Sequence, residues 1–243
     1  LTELHGFAQL KKILGDFAVL DNRKLLQLAD LPNLNEVGGH LSIVNNQVLE
    51  QNCDFLSLTS IAGDMTVSQN DSMVHMGEFA KLTHIQGEFS LEENSALAHV
   101  NGLASLTSLG GSLNIVGNES LTNLDGISGV ATVGGLVSIS SNISLLNLDG
   151  LSNITEIPGF LGIDGNTALQ DCDGLSQLRT IGGGLLFQGN GVLKSLDGLS
   201  ALESVGEALS INDNAALENI NSLTNLSFVG DSIELKGNGA LLN

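Results

Sequence analysis

The chain has 243 residues, of which 42% are hydrophobic but only 3% aromatic, with no Trp and no Tyr. An interior of interlocking large side chains is therefore not expected, and the apolar content has to be Leu, Ile and Val in register. Eight Lys and Arg against 27 Asp and Glu give a net charge of −19, which repels phosphate backbones and anionic lipid and excludes nucleic acid as a partner. No apolar run reaches the roughly 18 residues needed to span a bilayer, so no direct membrane insertion is expected.

Asparagine recurs every 24 residues along the whole chain, without gap or insertion. This column consists of Asn22, Asn46, Asn70, Asn94, Asn118, Asn142, Asn166, Asn190, Asn214 and Asn238. Three residues after each Asn a second column holds Leu, with Met73 as the exception. A fixed period of roughly 20 to 30 residues is typical of a solenoid, in which each coil packs on its neighbours. We predict a structural ladder, because a buried amide can satisfy backbone groups at a bend and bond the amides above and below.

The first part of each coil has apolar residues at every third position. In one coil these are Leu121, Leu124, Ile127, Val130 and Val133. This spacing suits an extended or 3₁₀-like backbone that turns corners, whereas an α-helix needs mixed spacings of three and four. Long helices are therefore not expected.

A β-strand is predicted to follow in every coil. Val137 and Ile139 are two residues apart, the period of a strand with one buried face, and equivalent pairs recur in other coils. Glycine pairs such as Gly134-Gly135 precede the strand, where we expect a positive φ or a close passage of two backbones. The prediction is a β-rich solenoid of about ten 24-residue turns with one long parallel sheet and little helix, forming a single repeat domain over residues 1–243.

The recurring string is L-x-x-L-D-G-L-S-x-L-T-S-I-G-G-x-L-x-I-x-x-N, as in the segment that ends at Asn142. With this string the chain resembles the leucine-rich-repeat class, most closely the receptor L-domain type of fungal cell-wall proteins and bacterial surface proteins. The resemblance implies a right-handed coil, an Asn column that closes a turn inside, and an extracellular or cell-surface location. One departure lies at Asn52, where the motif has Leu, and a slip of one residue there would place Cys53 in the core.

The outward positions of the strands form the candidate binding surface. Its N-terminal half is acidic, whereas Leu136, Phe160 and Leu186 make it apolar further along the chain. An exposed apolar cluster is more typical of a contact site than of a solvated strand. The small polar residues of the same face that complete the candidate are Ser90, Asn114 and Ser138.

Aspartate occupies one column in four successive coils. Its members are Asp125, Asp149, Asp173 and Asp197. Their Cα atoms should lie about 5 Å apart if coils stack at strand spacing, so the carboxylates repel. Either each Asp accepts a local backbone N–H in an Asx-turn ahead of its Gly, or calcium lies between the carboxylates. We expect the turn, because Asn101 and Asn221 in the same column serve a turn equally well and calcium less well.

No catalytic set, cofactor site or metal site is nominated. A solenoid brings together residues about one period apart, and no Ser-His-Asp or Cys-His group has that spacing. Cys53 and Cys172 are nearly five turns apart, beyond the reach of a disulfide, and Cys172 occupies a column otherwise rich in Leu. His75 and His99 are one period apart and should stack as a surface pair.

These observations predict a non-catalytic extracellular recognition or adhesion module that binds a protein or a glycan. The alternative is a structural subunit or segment of a cell wall, sheath or filament, in which copies meet end to end. Both ends lie mid-repeat without a capping sequence, and natural arrays place atypical coils there. We therefore expect a segment of a longer chain, or ends covered by neighbouring copies.

Overall fold

The chain winds into a parallel β-solenoid in a computed structural model that describes residues 2–4, 6–28, 31–50 and 54–242. Nine turns of 24 residues separate Phe17 from Ile233, the first residues of the first and last strands of the long sheet. The described residues contain no α-helix, which confirms the expectation from the three-residue spacing. His5, Asn52 and Cys53 lie outside the described residues, so the slip at Asn52 stays a prediction.

One long parallel sheet runs through the stack and confirms the predicted strands. Its strands are Phe17–Leu20, Leu41–Val44, Met65–Ser68, Phe89–Glu92, Leu113–Val116, Val137–Ser140, Leu161–Asp164, Leu185–Gln188, Leu209–Asn212 and Ile233–Lys236. Each strand pairs with its equivalents in the neighbouring coils, so that Val137 lies opposite Leu113 and Leu161. The register is therefore the sequence period itself.

Shorter strands and 3₁₀ helices form the other sides of the coils. One short sheet contains Lys12–Ile13, Glu36–Val37, Ser60–Ile61, His84–Ile85 and Ser108–Leu109; another contains Glu156–Ile157, Thr180–Ile181, Ser204–Val205 and Phe228–Val229; Glu3–Leu4 pairs with Gln27–Leu28. The 3₁₀ helices are Asn101–Leu103, Asp125–Ile127, Asp149–Leu151, Asp173–Leu175, Asp197–Leu199 and Leu223–Asn225. They lie where apolar residues recur at every third position, because side chains three apart share one side of a 3₁₀ turn.

The core is one continuous apolar column inside the coils. Val137 and Ile139 are fully buried, whereas Ser138 and Ser140, which alternate with them, are partly exposed. Ile127 at the corner of the coil is also buried. Burying one such aliphatic side chain contributes about 1.5–3 kcal/mol. Because each coil buries its apolar residues only against its neighbours, stacking stabilises the fold.

Large side chains do enter the core in the first coils, contrary to the expectation from composition. Phe55 and Phe79 are fully buried and stack with their ring centroids 4.8 Å apart. Phe17 packs edge-on against Phe55 at 5.8 Å. A small number of Phe residues is thus concentrated in the N-terminal part of the stack.

The Asn column forms the predicted buried ladder. Asn142 is typical: its backbone N–H donates to Asn166 Oδ1 at 3.0 Å, and its Nδ2 donates to Ile115 O at 2.8 Å. Nδ2 also contacts Ser140 O at 3.1 Å, within its own coil. Each amide therefore binds the coil before it and the coil after it. The ladder residues from Asn46 to Asn214 are fully buried, and Asn22 and Asn238 at the two ends are partly exposed.

The left-handed backbone conformation occurs immediately before each ladder Asn, a position that the sequence analysis missed. Ser141 has φ 57° and Gly165 has φ 65°, and the equivalent residue in every other coil is also positive. The predicted glycines have a different role. A Cβ on Gly134 would collide with the carbonyl oxygen of Gly110 in the previous coil, so Gly there permits a close passage of two backbones.

The last strand of the long sheet is exposed along its length. Ile233 and Leu235 point inward by register, yet their side chains are exposed because no described coil packs beyond them. The expectation that the chain belongs to a longer polypeptide stays a prediction.

Candidate functional site

The outward face of the long sheet has the arrangement predicted for it. Its middle column, paired in register along the stack, runs Ala18, Ser42, Thr66, Ser90, Asn114, Ser138, Gly162, Leu186, Ser210 and Glu234. The neighbouring column, at the entrance of each strand, contains Leu136 and Phe160. The structure thus places the predicted residues on one face.

Acidic residues in the N-terminal half of this face bind the backbone of the next coil. Asp16 Oδ1 accepts the His40 backbone N–H at 2.7 Å, and Asp64 Oδ1 accepts that of Glu88 at 2.8 Å. Between them, His40 Nδ1 accepts the Asp64 N–H at 3.0 Å and lies 3.1 Å from Asp64 Oδ2. At the residue before each strand, these side chains accept the backbone N–H of the next coil and so extend the hydrogen bonding of the sheet. Their role is therefore structural.

Ser90 and Asn114 are bound to neighbouring glutamates. Ser90 is buried, 5% exposed, and its Oγ donates to Glu92 Oε1 at 2.6 Å. Asn114 Nδ2 donates to Glu88 Oε1 at 2.8 Å. Their part in binding stays a prediction, and for Ser90 a ligand would first have to displace the Glu92 contact.

We refer to Leu136, Phe160 and Leu186 as the apolar patch. Phe160 is 37% exposed, and Leu136 and Leu186 are half-buried. The Phe160 ring lies over two glycines of the same face: a Cβ on Gly162 would be 2.6 Å from Phe160 Cε1, and one on Gly184 would be 3.4 Å from Cδ2. Opposite edges of the ring therefore lie towards the two glycines, and neither glycine has a side chain that would cover the ring.

A polar row borders the apolar patch, and the sequence analysis did not single it out. Ser140, Asp164, Gln188 and Asn212 lie opposite one another in register. Asn212 Oδ1 is buried and has no hydrogen-bond partner. The signal was present in the sequence, because each of these residues lies two positions after a residue of the middle column.

The Asp column is exposed, and its predicted Asx-turns are made by other residues. The Asp125 backbone N–H bonds Asn123 Oδ1, and the Asp149 N–H bonds Asn147 Oδ1, both at 3.2 Å. Asp171 and Asn219 have the same role, with 3.3 and 3.2 Å. The acceptor is thus two residues before the Asp. The carboxylates of Asp125, Asp149, Asp173 and Asp197 accept no hydrogen bond from described residues, which corrects the expected assignment.

Burial and repulsion affect the middle of this column. Burial, followed by repulsion from Asp171, Asp125 and Asp173, raises the pKa of Asp149 above its ordinary value of 3.8. Within the described part of the chain, no three His, Cys, Asp or Glu side chains come together in a way that could hold a metal ion.

The Cys and His residues considered in the sequence analysis are Cys172, His75 and His99. Cys172 is a free, buried thiol, as predicted for its Leu-rich column, and burial raises its pKa to about 12. A thiol of that pKa is not a nucleophile at neutral pH. His75 and His99 pair across neighbouring coils, as their spacing predicts. Nowhere in the described residues is there a helix of the length and apolarity that would cross a bilayer.

Comparisons with protein-family models, with curated proteins and with solved structures find no match for this chain. The class of protein is therefore defined by the fold itself: a parallel β-solenoid with a buried Asn ladder.

Proposed function

We propose that this protein is a non-catalytic recognition or adhesion module, located at the cell surface or outside the cell, and that the apolar patch is its contact surface. The observation behind this proposal is the Phe160 side chain, which lies beside Gly162 and Gly184 on the outward face and is 37% exposed. An aromatic side chain with two rotatable bonds loses little entropy on binding, and the sheet beneath it is rigid, so a ligand meets a preformed surface.

The polar row gives this surface its second component. Asp164 offers carboxylate oxygens, and Ser138 and Ser140 offer hydroxyl groups, beside the apolar patch. Apolar contact together with a few placed polar groups is the usual composition of a binding site. A protein segment or a glycan fits this chemistry. The resemblance to receptor L-domain repeats of the leucine-rich class supports the same role and stays part of the proposal.

The test compares two apolar residues on the same face of the sheet. The purified chain is screened against glycan and extracellular-protein arrays, and each hit is remeasured with Phe160→Ser and with Leu20→Ser. Leu20 is the matched control because it is outward and 48% exposed but lies six coils away. We expect Phe160→Ser to weaken binding at least tenfold and Leu20→Ser to leave it unchanged, with both variants folded by circular dichroism.

The comparison of Phe160→Ser with Leu20→Ser also shows which results would contradict the proposal. Equal binding by the wild type and both variants would show that the apolar patch is not the contact surface. Self-association that Phe160→Ser abolishes, without binding to any array, would assign the patch to contacts between copies and favour the structural alternative.

A further inference from the structure

The polar side chains beside the apolar patch have no partners within the described part of the protein. Ser138, Ser140, Asp164 and Gln188 are all partly exposed, and none of their side chains makes a hydrogen bond or an ion pair with another described residue. Ser90, further along the same face, already donates to a neighbouring glutamate. The hydroxyl, carboxylate and amide groups beside the patch therefore keep their full capacity to bind the polar groups of a ligand.

Three of these side chains form a row next to the Phe160 ring. Asp164 lies on the same face of the sheet, four residues after Phe160, and Ser140 and Gln188 lie opposite Asp164 in the coils before and after it. Between ring and row stands Gly162, which has no side chain to separate them. An aromatic ring and a row of hydrogen-bonding groups thus lie side by side on one face.

The surface made by the apolar patch and this row is small. It extends about 13 Å along a strand and about 10 Å across three coils at ordinary strand spacings, an area on the order of 130 Å². A stable protein interface buries about 800 Å² on each partner. The surface therefore suits a ligand of one or two rings better than a folded protein.

Charge narrows the class of ligand further. The described residues that form this surface include Asp164 but no Lys or Arg, and the whole chain has a net charge of −19, so an anionic ligand is repelled. A neutral sugar has the complementary pattern, with hydroxyl groups around its rim and C–H groups on its faces. Those C–H groups are slightly positive and are attracted to the negative face of an aromatic ring.

We propose that this surface binds a neutral glycan, with one sugar ring against Phe160 and its hydroxyl groups hydrogen-bonded to Asp164, Gln188 and Ser140. The inference rests on the proposed function, because it names the ligand class of the same surface. Hydroxyl groups that donate to the Asp164 carboxylate form charge-assisted hydrogen bonds, which are the stronger class. The Gln188 amide and the Ser140 hydroxyl can both donate and accept, as a sugar hydroxyl does.

The first experiment titrates the chain with neutral tetrasaccharides of glucose, N-acetylglucosamine, mannose and galactose by calorimetry. We expect saturable binding of at least one of them, with the same affinity at low and at high salt, because salt does not screen a neutral ligand. Tetragalacturonate, which carries negative charges, should not bind.

Two substitutions separate a glycan from a merely apolar contact. Phe160→Leu keeps an apolar side chain but removes the ring, and we expect at least tenfold weaker tetrasaccharide binding. Asp164→Asn removes the charge and one acceptor oxygen and should weaken binding at least fivefold. The control is Asp197→Asn, which removes the same charge from an exposed corner and should change the affinity less than twofold.

A third substitution moves the ring without removing any group that binds the sugar. A Cβ on Gly162 would lie 2.6 Å from Phe160 Cε1, so Gly162→Ala forces the ring to shift. We expect at least fivefold weaker tetrasaccharide binding, with the fold retained by circular dichroism. The control is Gly191→Ala, since a Cβ on Gly191 has no atom within 4 Å, and it should leave binding unchanged.

Several results would overturn the inference. They are no saturation by any of the tetrasaccharides, unchanged tetrasaccharide binding by Phe160→Leu, or equal weakening by Asp164→Asn and Asp197→Asn. A protein ligand that is lost with Phe160→Ser, without tetrasaccharide binding, would refute the glycan but leave the proposed contact surface in place. Tetrasaccharide binding that survives both Phe160→Ser and Phe160→Leu would refute the contact surface itself.

Discussion

The Asn column and the Asp column have the same 24-residue spacing but opposite energetics. Inside the coils, every amide from Asn46 to Asn214 is fully buried and bonds its neighbours on both sides. Outside, the carboxylates from Asp125 to Asp197 are exposed, accept no hydrogen bond from described residues, and repel one another. A stacked column is therefore stabilised by a side chain that has both donors and acceptors, such as Asn. It is destabilised by a charged side chain that only accepts, such as Asp.

The largest loss of stability is expected from a substitution in the buried Asn column. Asn142→Ala removes the hydrogen bonds from Nδ2 to Ile115 O and Ser140 O. The carbonyl oxygens of Ile115 and Ser140 then lose this donor inside the coil. We expect a loss of about 1–3 kcal/mol in the free energy of unfolding, measured with urea. The control is Asn153→Ala, whose side chain makes one exposed bond to Ser128 O and should cost less. Equal small losses at both positions would contradict the ladder as a source of stability.

A smaller effect is expected from the residue that makes the Asx-turn. Asn147→Ala removes the acceptor of the Asp149 N–H, and we expect a loss of about 0.5–1.5 kcal/mol, the value of one hydrogen bond. Asp149→Ala, two residues on, should not destabilise the fold. Thermal unfolding of the two variants side by side decides the assignment, because the opposite order would restore the turn to the Asp column.

The smallest effect is electrostatic. The folded-state pKa of Asp149 is raised above 3.8, so its protonated form favours folding, and this contribution is lost as the pH rises through the folded-state pKa. Asp149→Asn should therefore be more stable than the wild type at pH 7, by less than about 0.5 kcal/mol because solvent screens exposed charges. The difference should vanish as the pH falls below about 4.

Calcium provides the control for this comparison. With an unoccupied Asp column, a chelator leaves the Tm unchanged at neutral pH, and Asp149→Asn remains the more stable chain. A fall of several degrees in the wild type on adding chelator, absent when both Asp149 and Asp173 are replaced by Asn, would show that calcium rather than repulsion governs the column.

The sequence predicted the repeat because a solenoid repeats its contacts. Val137 and Ile139 face inward in every equivalent coil, so the same column of apolar residues recurs, and Asn142 follows the same rule. Local features were harder to predict. Ser141 and Gly165 share a positive φ although their residue types differ, and the Asx acceptor lies two residues before the Asp that suggested it.

On the outward face too, the sequence predicted the repeated positions but not the local arrangement of side chains. Leu136, Phe160 and Leu186 could be placed outside the coil from the strand period alone. The position of the Phe160 ring depends on Gly162 in its own coil and Gly184 in the next coil, towards which its two edges lie. No spacing in the sequence indicates the direction of a ring.

The sequence by itself determined the period, the strand register, the buried Asn ladder and the absence of long helices, because each depends on contacts that repeat in every coil. Only the tertiary structure decided the position of the Phe160 ring and the identity of the Asx acceptors. These depend on one coil differing from the next: Gly162 lies between Ser138 and Leu186 in its column, and a 3₁₀ corner at Asn101–Leu103 follows a corner without one. Contacts that repeat in every coil can be predicted from the sequence period. The effect of a residue that differs in a single coil depends on how the neighbouring coils pack around it.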